Sequence, residues 1–70
     1  MNQETIEEAL RKAYRKYIEA VFASAGLEQC RQKGNIKVWS ESLMHNYGLS
    51  RDEVDAIIAD EALKGTRKAG

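Results

Sequence analysis

The stretch SESLMHNYGLSRDEVDAIIA, residues 40–59, is the most informative part of the sequence. Its apolar residues recur at three- and four-residue spacings on both sides of Gly48, which is typical of two amphipathic helices joined by a tight turn. The first helix is expected over residues 41–47, with Ser40 as its cap. Gly48 is placed to close it, and Leu49 is expected to fold back as the apolar contact that follows a helix end.

A second helix is predicted directly after this turn. Ser50 and Glu53 form a capping box, in which each side chain satisfies a backbone amide of the first helical turn. The helix is expected to cover residues 51–64 and to end at Gly65. Residues 65–70 have nothing to bury and are predicted to form a mobile tail. The inward-facing apolar residues of this helix are Val54, Ile57 and Ile58.

The amino-terminal segment predicts a long amphipathic helix that begins near residues 3 to 6. Thr5 and Glu8 form a capping box at its start. Two end points remain open, Gly26 or, further along the chain, Gly34. The apolar side covers about half of the circumference, wider than the stripe of ~100° on an ordinary surface helix. We therefore expect the helix to pack against its own chain and also against a second copy or a foreign helix. Its apolar residues are Ile6, Leu10, Tyr14, Tyr17, Ile18, Val21 and Phe22.

Between these helices, residues 35–39 (NIKVW) alternate polar and apolar side chains. The alternation favours an extended connector, with a short strand as the alternative. A strand here would allow a ribbon-helix-helix arrangement, in which the strand pairs across a dimer. Five residues are short for a strand, so the connector is preferred. The ribbon-helix-helix arrangement is also disfavoured, because its first helix would span only about eight residues and a long helix would precede the strand.

Length and cysteine content limit how the domain is stabilised. The chain has 70 residues, a length at which one core contributes only about 3 to 5 kcal/mol. Cys30 is the single cysteine, so no intramolecular disulfide adds to that value, and a reducing, cytoplasmic setting is expected. No run approaches the roughly 20 apolar residues that cross a bilayer, and no membrane contact is expected.

Charge is balanced overall but uneven along the chain. Eleven basic and eleven acidic residues give a formal net charge of zero, which argues against a strongly cationic nucleic-acid-binding protein. Residues 11–37 carry seven basic and two acidic side chains, a local charge of +5, whereas residues 51–60 carry one basic and four acidic, a local charge of −3. Opposite charges can hold two elements together or orient a partner, and the sequence does not choose between these roles.

The residues that commonly carry catalysis or bind metals form no recognisable pattern. His45 is the single histidine, whereas structural zinc sites need four ligands. Cys30 lacks the surroundings of a nucleophile and is interpreted as a small buried hydrophobe. Asp52, Asp55 and Asp60 are interpreted as a solvated face, because a small helical domain offers little room for a cleft that would shift their pKa values. We expect a protein that is not an enzyme and uses no cofactor or metal.

Residues 40–59 resemble the helix-turn-helix superfamily, in which two helices cross steeply around a glycine turn. Met44 departs from the family pattern, because a small residue is preferred where the helices approach closely. Apolar residues stand where such a motif places its locking contacts: Leu43, Tyr47, Leu49, Val54 and Ile57.

The resemblance implies a DNA-binding function through the second helix of the motif. Ser50 and Arg51 would face the major groove, while a basic cluster on the first helix of the chain would contact backbone phosphates. Asp52, Glu53 and Asp55 oppose this function, because they would lie against the negatively charged DNA backbone. The basic cluster consists of Arg11, Lys12, Arg15 and Lys16.

The sequence therefore predicts one all-α domain of three or four helices over residues 1–64, with a long amino-terminal helix and a helix-turn-helix-like carboxyl half. The expected function is that of a small regulatory or inhibitory protein that binds another protein and forms a homodimer. The alternatives are a helix-turn-helix DNA-binding transcriptional regulator and a subunit of a larger assembly. The predicted partner-binding residues combine an aromatic and methionine edge with acidic side chains: Trp39, Met44, Tyr47, Asp52, Glu53 and Asp55.

Overall fold

The computed structural model describes the backbone of residues 2–69 and the side chains of residues 2–64. Three α-helices follow one another along the chain: α1 (Gln3–Phe22), α2 (Gly26–Tyr47) and α3 (Arg51–Ala69). No strand occurs among the described residues. The predicted all-α fold with a long amino-terminal helix is confirmed.

The start of α1 is set by Asn2 and not by the predicted capping box. The Asn2 side-chain oxygen accepts a hydrogen bond from the Thr5 backbone amide at 2.9 Å and another from the Thr5 hydroxyl at 2.8 Å. An asparagine in this position satisfies an amide that the helix leaves without a partner. The predicted capping box of Thr5 with Glu8 is therefore wrong, because Thr5 already lies inside the first turn.

The end of α1 comes at Phe22, before both of the predicted end points. Ser24 adopts a left-handed backbone conformation with φ of 54°. The Ser24 amide donates to the carbonyl of Val21 at 3.1 Å, and the Ala25 amide donates to that of Ala20 at 2.9 Å. This is the Schellman arrangement, which usually places glycine at the left-handed position. Since serine reverses the chain here, the glycines did not mark the boundary.

α2 runs without interruption through segments that were expected to be separate. Gly26 opens this helix, and residues 35–39 are helical, so the predicted connector, the strand alternative and a separate helix capped by Ser40 are all wrong. The core side of α2 explains the outcome. Ile36, Trp39, Leu43 and Tyr47 recur at helical spacing and belong to the core or pack against it. This packing outweighs the local β-preference of the segment.

The turn after α2 matches the prediction. Gly48 has φ of 71°, the left-handed conformation that glycine adopts without strain. The Leu49 amide donates to the Leu43 carbonyl at 3.3 Å, and Leu49 packs against the core. The Ser50 amide donates to the Glu53 carboxylate, and the Glu53 amide donates to the Ser50 hydroxyl, both at 3.1 Å. The predicted capping box at the start of α3 is confirmed.

α3 continues past its predicted end. The helix reaches Ala69, so the expected stop at Gly65 is wrong. A single interior glycine weakens a helix by about 1 kcal/mol relative to alanine, which does not by itself break it. The mobility expected of residues 65–70 stays a prediction, because their side chains, and Gly70 altogether, lie outside the described residues.

The core lies between α1 and the carboxyl half of α2, with the first turns of α3 packed onto it. Partly buried apolar side chains of all three helices surround its centre. α1 contacts α2 more extensively than α3, and α2 contacts α3 least. α2 and α3 thus leave a groove between them. The central residues are Ile6, Leu10, Leu43 and Val54.

Candidate interaction surface

A charged cluster joins α1 to α3. Arg11 Nη1 lies 2.7 Å from Asp60 Oδ2 and 3.3 Å from Glu61 Oε1, and Arg15 Nη1 lies 3.5 Å from Glu61 Oε2. The Glu61 side chain is only 5% exposed, so its charge needs these partners. The opposite local charges that the sequence shows on these segments thus hold two helices of the domain together at this cluster.

The contact with Arg11 changes the titration of Asp60. The hydrogen bond from Arg11 and, after it, the one from Lys64 lower the pKa of Asp60 from its ordinary value of 3.8. The same contact with Asp60 raises the pKa of Arg11. Asp60 is therefore ionised at neutral pH, and the two arginines are engaged inside the domain. Two of the four basic residues that the helix-turn-helix resemblance assigns to phosphates have partners in the fold, whereas Lys12 and Lys16 are exposed.

The predicted aromatic and methionine edge does not form one exposed surface. Trp39 lines a shallow groove against α1, where Lys12 and Lys16 lie beside it. Met44 faces the opposite groove, between α2 and α3. Tyr47 is partly buried, and all three side chains pack against the core. Their role in partner binding stays a prediction, and Trp39 and Met44 would contact a partner in different grooves.

The α2–α3 groove has an apolar floor and charged rims. Lys33, Lys37 and Glu41 follow one another at one-turn intervals on the α2 rim, and neither lysine forms an ion pair within residues 2–64. On the α3 rim, Arg51 Nε lies 3.6 Å from Asp55 Oδ1, in a pair that is largely exposed. Two lysines against one glutamate give the α2 rim a local positive charge. The floor consists of Ile36, Met44, Val54 and Ile58.

The acidic first turns of α3 are exposed but partly committed to local contacts. Glu53 closes the capping box with Ser50, whose hydroxyl is used in the same way. Asp55 pairs with Arg51 at 3.6 Å. Asp52 has no ion pair among the described side chains. The acidic surface available to a partner is therefore narrower than the sequence suggests, and Ser50 and Arg51 already have contacts within α3.

Several large apolar side chains among the described residues are mostly exposed. Phe22 is 86% exposed, Leu27 90% and Val38 58%. Phe22 belongs to the apolar side of α1, for which contact with a second copy or a foreign helix was predicted, whereas Val38 was assigned to a connector and not considered as surface. The helical spacing of Leu27 and Val38 would have indicated a common face had α2 been recognised as continuous. Cys30 is also exposed, which corrects its interpretation as a buried hydrophobe.

Other kinds of site find no support in the described residues. No three histidine, cysteine, aspartate or glutamate side chains among them converge to hold a metal ion. None of the helices, as far as they are described, has the length and apolar content to cross a membrane. Comparison of the chain with protein-family models, curated protein sequences and solved structures found no match in any of the three. The function is therefore argued from the surface of the domain alone.

Proposed function

We propose that this protein is a small, non-enzymatic regulatory protein that acts by binding another protein, and that the α2–α3 groove receives the partner. The observation that carries the proposal is the open apolar floor of this groove. Ile36, Met44 and Ile58 are only partly buried there, although they pack against the core. An apolar groove between two helices, flanked by polar rims, suits an amphipathic helix laid along it.

The charge of the rims indicates what kind of helix fits. Lys33 and Lys37 would meet acidic side chains that flank the apolar face of the partner, and such complementarity gives specificity and faster association. Arg51 and Asp55 form a largely exposed pair, which contributes little to stability and is readily exchanged for contacts with a partner. The expected partner is an acidic amphipathic helix with apolar residues at three- and four-residue spacing. The exposed, unpaired Cys30 supports the predicted cytoplasmic location, because thiols stay reduced there.

The test uses two double variants with the same charge change on different grooves. Lys33→Glu/Lys37→Glu reverses the rim of the α2–α3 groove, and Lys12→Glu/Lys16→Glu reverses the groove beside Trp39. Wild type and both variants are immobilised and used to capture proteins from an extract of the cells in which this protein naturally occurs. A captured partner is then purified and titrated against all three. We expect the first variant to weaken binding at least about tenfold and the second to change it less than about threefold. Circular dichroism checks that both variants stay folded. Equal effects of the two variants would contradict the assignment to this groove.

The helix-turn-helix alternative makes a different prediction, which a titration of duplex DNA followed by fluorescence anisotropy tests. A DNA-binding regulator would bind generic duplex at low salt and lose affinity steeply as salt rises. We expect no binding at micromolar concentrations, since Arg11 and Arg15 are held by Asp60 and Glu61. Salt-sensitive binding that is lost in Lys12→Glu/Lys16→Glu and kept in Lys33→Glu/Lys37→Glu would favour the DNA-binding function instead.

A further inference from the structure

The outward face of α2 carries a regular line of exposed residues. Its members are spaced alternately four and three residues apart, so that on a helix of 3.6 residues per turn they fall within an arc of about 80°. This alternation is that of a coiled-coil contact line, in which each helix presents one residue per turn to the other. All six residues are exposed. We call this line the outer seam, and it consists of Leu27, Arg31, Gly34, Val38, Glu41 and His45.

No close packing within the described domain requires a glycine at position 34. It lies in the interior of α2, where glycine is less favourable than alanine. Its backbone is not in the left-handed conformation, which among the glycines described is adopted by Gly48. A Cβ atom built on Gly34 would meet nothing within 4 Å. The absence of a side chain at Gly34 leaves room for another chain to approach α2 from outside.

We propose that the outer seam binds the outer seam of a second copy of this chain, with the two α2 helices antiparallel. If the two-fold axis passes at the level of residue 36, Val38 lies opposite Gly34 of the second copy, so that the larger side chain fills the space the glycine leaves. The same register places Arg31 opposite Glu41 of the second copy, and each of these contacts occurs twice because the interface is isologous. Leu27 then lies opposite His45 of the second copy, where the imidazole covers a side chain that is 90% exposed in the single domain.

The charges select this orientation over the parallel one. In a parallel pair every residue would face its own copy, and Arg31 would meet Arg31 while Glu41 met Glu41. Facing like charges repel, whereas the antiparallel register turns both contacts into attractive pairs. Arg31 is available for such an exchange, because its present contact with Glu28 is 3.4 Å long and its side chain is 73% exposed.

The proposed interface is small. Only Leu27 and Val38 supply apolar contact from each copy, so the interface lies at the small end of the range for protein pairs. The dimer is accordingly weak, with a dissociation constant in the range of roughly 10 µM to 1 mM. It uses a different face from the dimerisation through α1 that the sequence suggested.

Sedimentation equilibrium of the purified chain, from about 10 µM to 2 mM, tests the proposal. The first variant is Gly34→Gln, which adds a side chain where the monomer has open space. This variant is expected to remain folded, with an equal or higher Tm because glutamine favours the helix. It should nevertheless weaken the dimer at least about tenfold, because the added side chain occupies the place of Val38 of the second copy.

The second set of variants tests the register through charge. Arg31→Glu alone and Glu41→Arg alone each create facing like charges and should weaken the dimer about tenfold or more. The double variant Arg31→Glu/Glu41→Arg restores opposite charges and should return the dissociation constant to within about threefold of wild type. Lys12→Glu, a matched charge reversal on α1, should leave it unchanged.

Two results would overturn the proposal. One is a wild-type chain that stays monomeric up to 2 mM. The other is a dimer that survives Gly34→Gln and both single charge reversals, which would place the contact on another face. Glu41 belongs to the outer seam and also lines the α2–α3 groove, whereas Arg31 and Gly34 do not line that groove. Gly34→Gln and Arg31→Glu can therefore weaken the dimer while partner binding in the groove persists, and either proposal can fail alone.

Discussion

α1 is packed on two sides, and its two contacts are of different kinds. Against α2 the contact is close and mostly apolar, with Ala13 and Ala20 buried along α1 and Gln29 Nε2 donating to the Ala20 carbonyl at 3.3 Å. No ion pair among the described residues joins these two helices. Against α3, the apolar contact of Val54 is joined by the charged cluster of Arg11, Arg15, Asp60 and Glu61. Apolar burial responds little to salt or pH, whereas ion pairs respond to both. The α1–α2 hairpin is therefore the stable base of the domain, and α3 is the helix whose attachment solution conditions can change.

The largest effect should come from the shared core of the hairpin. Leu43→Ala removes a side chain that is fully buried, and such changes destabilise a protein by about 2 to 5 kcal/mol. A 70-residue domain has about 3 to 5 kcal/mol in total, so we expect the variant to be largely unfolded by circular dichroism and urea titration. Val38→Ala, on the exposed side of the same helix, should change the free energy of unfolding by less than about 0.5 kcal/mol. Similar losses in both variants would mean that α2 is not oriented as described.

The next effect should fall on the α3 side alone. Arg11→Ala removes the shortest contact of the cluster and leaves the buried Glu61 with Arg15 only, which should destabilise the domain by about 1 to 3 kcal/mol. Hydrogen exchange should show the loss of protection concentrated in α3, because α1 and α2 keep their apolar contact. Arg51→Ala, which breaks an exposed pair with Asp55, should have an effect below about 0.5 kcal/mol. Equal loss of protection in α2 and α3 would contradict the proposed difference between the two contacts.

A smaller effect separates two serines that the sequence assigned the same role. Ser50→Ala removes the hydroxyl that caps α3 and should lower the free energy of unfolding by about 1 kcal/mol. Ser40→Ala lies in the interior of α2, where alanine is the better helix former, so the same substitution should leave stability unchanged or raise it by up to about 0.5 kcal/mol. Thermal unfolding of the two variants measures the contrast. A loss of stability in Ser40→Ala would instead support a helix boundary at that serine.

The parts of the fold that could be predicted share one property, which is apolar residues on one side only. α1 and the start of α3 show this pattern with capping residues next to it, and their presence was predicted correctly. α2 has apolar residues toward the core, such as Ile36, and also toward solvent, such as Leu27 and Val38. Because this helix has no one-sided apolar pattern, the prediction relied on local features such as the alternation of residues 35–39. It therefore divided α2 into two helices with a connector between them.

The candidate surfaces were harder to predict from the sequence than the helices, because both surfaces depend on where α2 begins. The α2–α3 groove and the outer seam both use the continuous helix from Gly26 to Tyr47. Ser24, which has no glycine-like signature, decides that α1 ends early and that Leu27 lies on the next helix. Of the predicted partner-binding residues, Met44 and Asp55 line the groove. Lys33 and Lys37, the basic residues of the groove rim on α2, entered the sequence analysis only in the net charge of residues 11–37.

The smallest effect is a pH dependence in the contact between α1 and α3. The hydrogen bond from Arg11 and that from Lys64 lower the pKa of Asp60 in the folded state from 3.8. A carboxylate with a lowered folded pKa stabilises the protein above its unfolded pKa, and this contribution is lost as pH falls through the folded value. Asp60→Asn should therefore lower the Tm slightly at pH 7 and by progressively less as pH falls below 3.8, until the variant and wild type converge. When Arg11 is replaced by alanine, Asp60→Asn should lower the Tm at pH 7 by less than it does in wild type. The hydrogen bond from Arg11, which is the larger of the two causes that lower the pKa of Asp60, is then absent. If the Tm of Asp60→Asn stayed below that of wild type by the same amount at the lowest pH, the asparagine side chain would be disturbing the packing. The charge of Asp60 would then not hold α3 to α1.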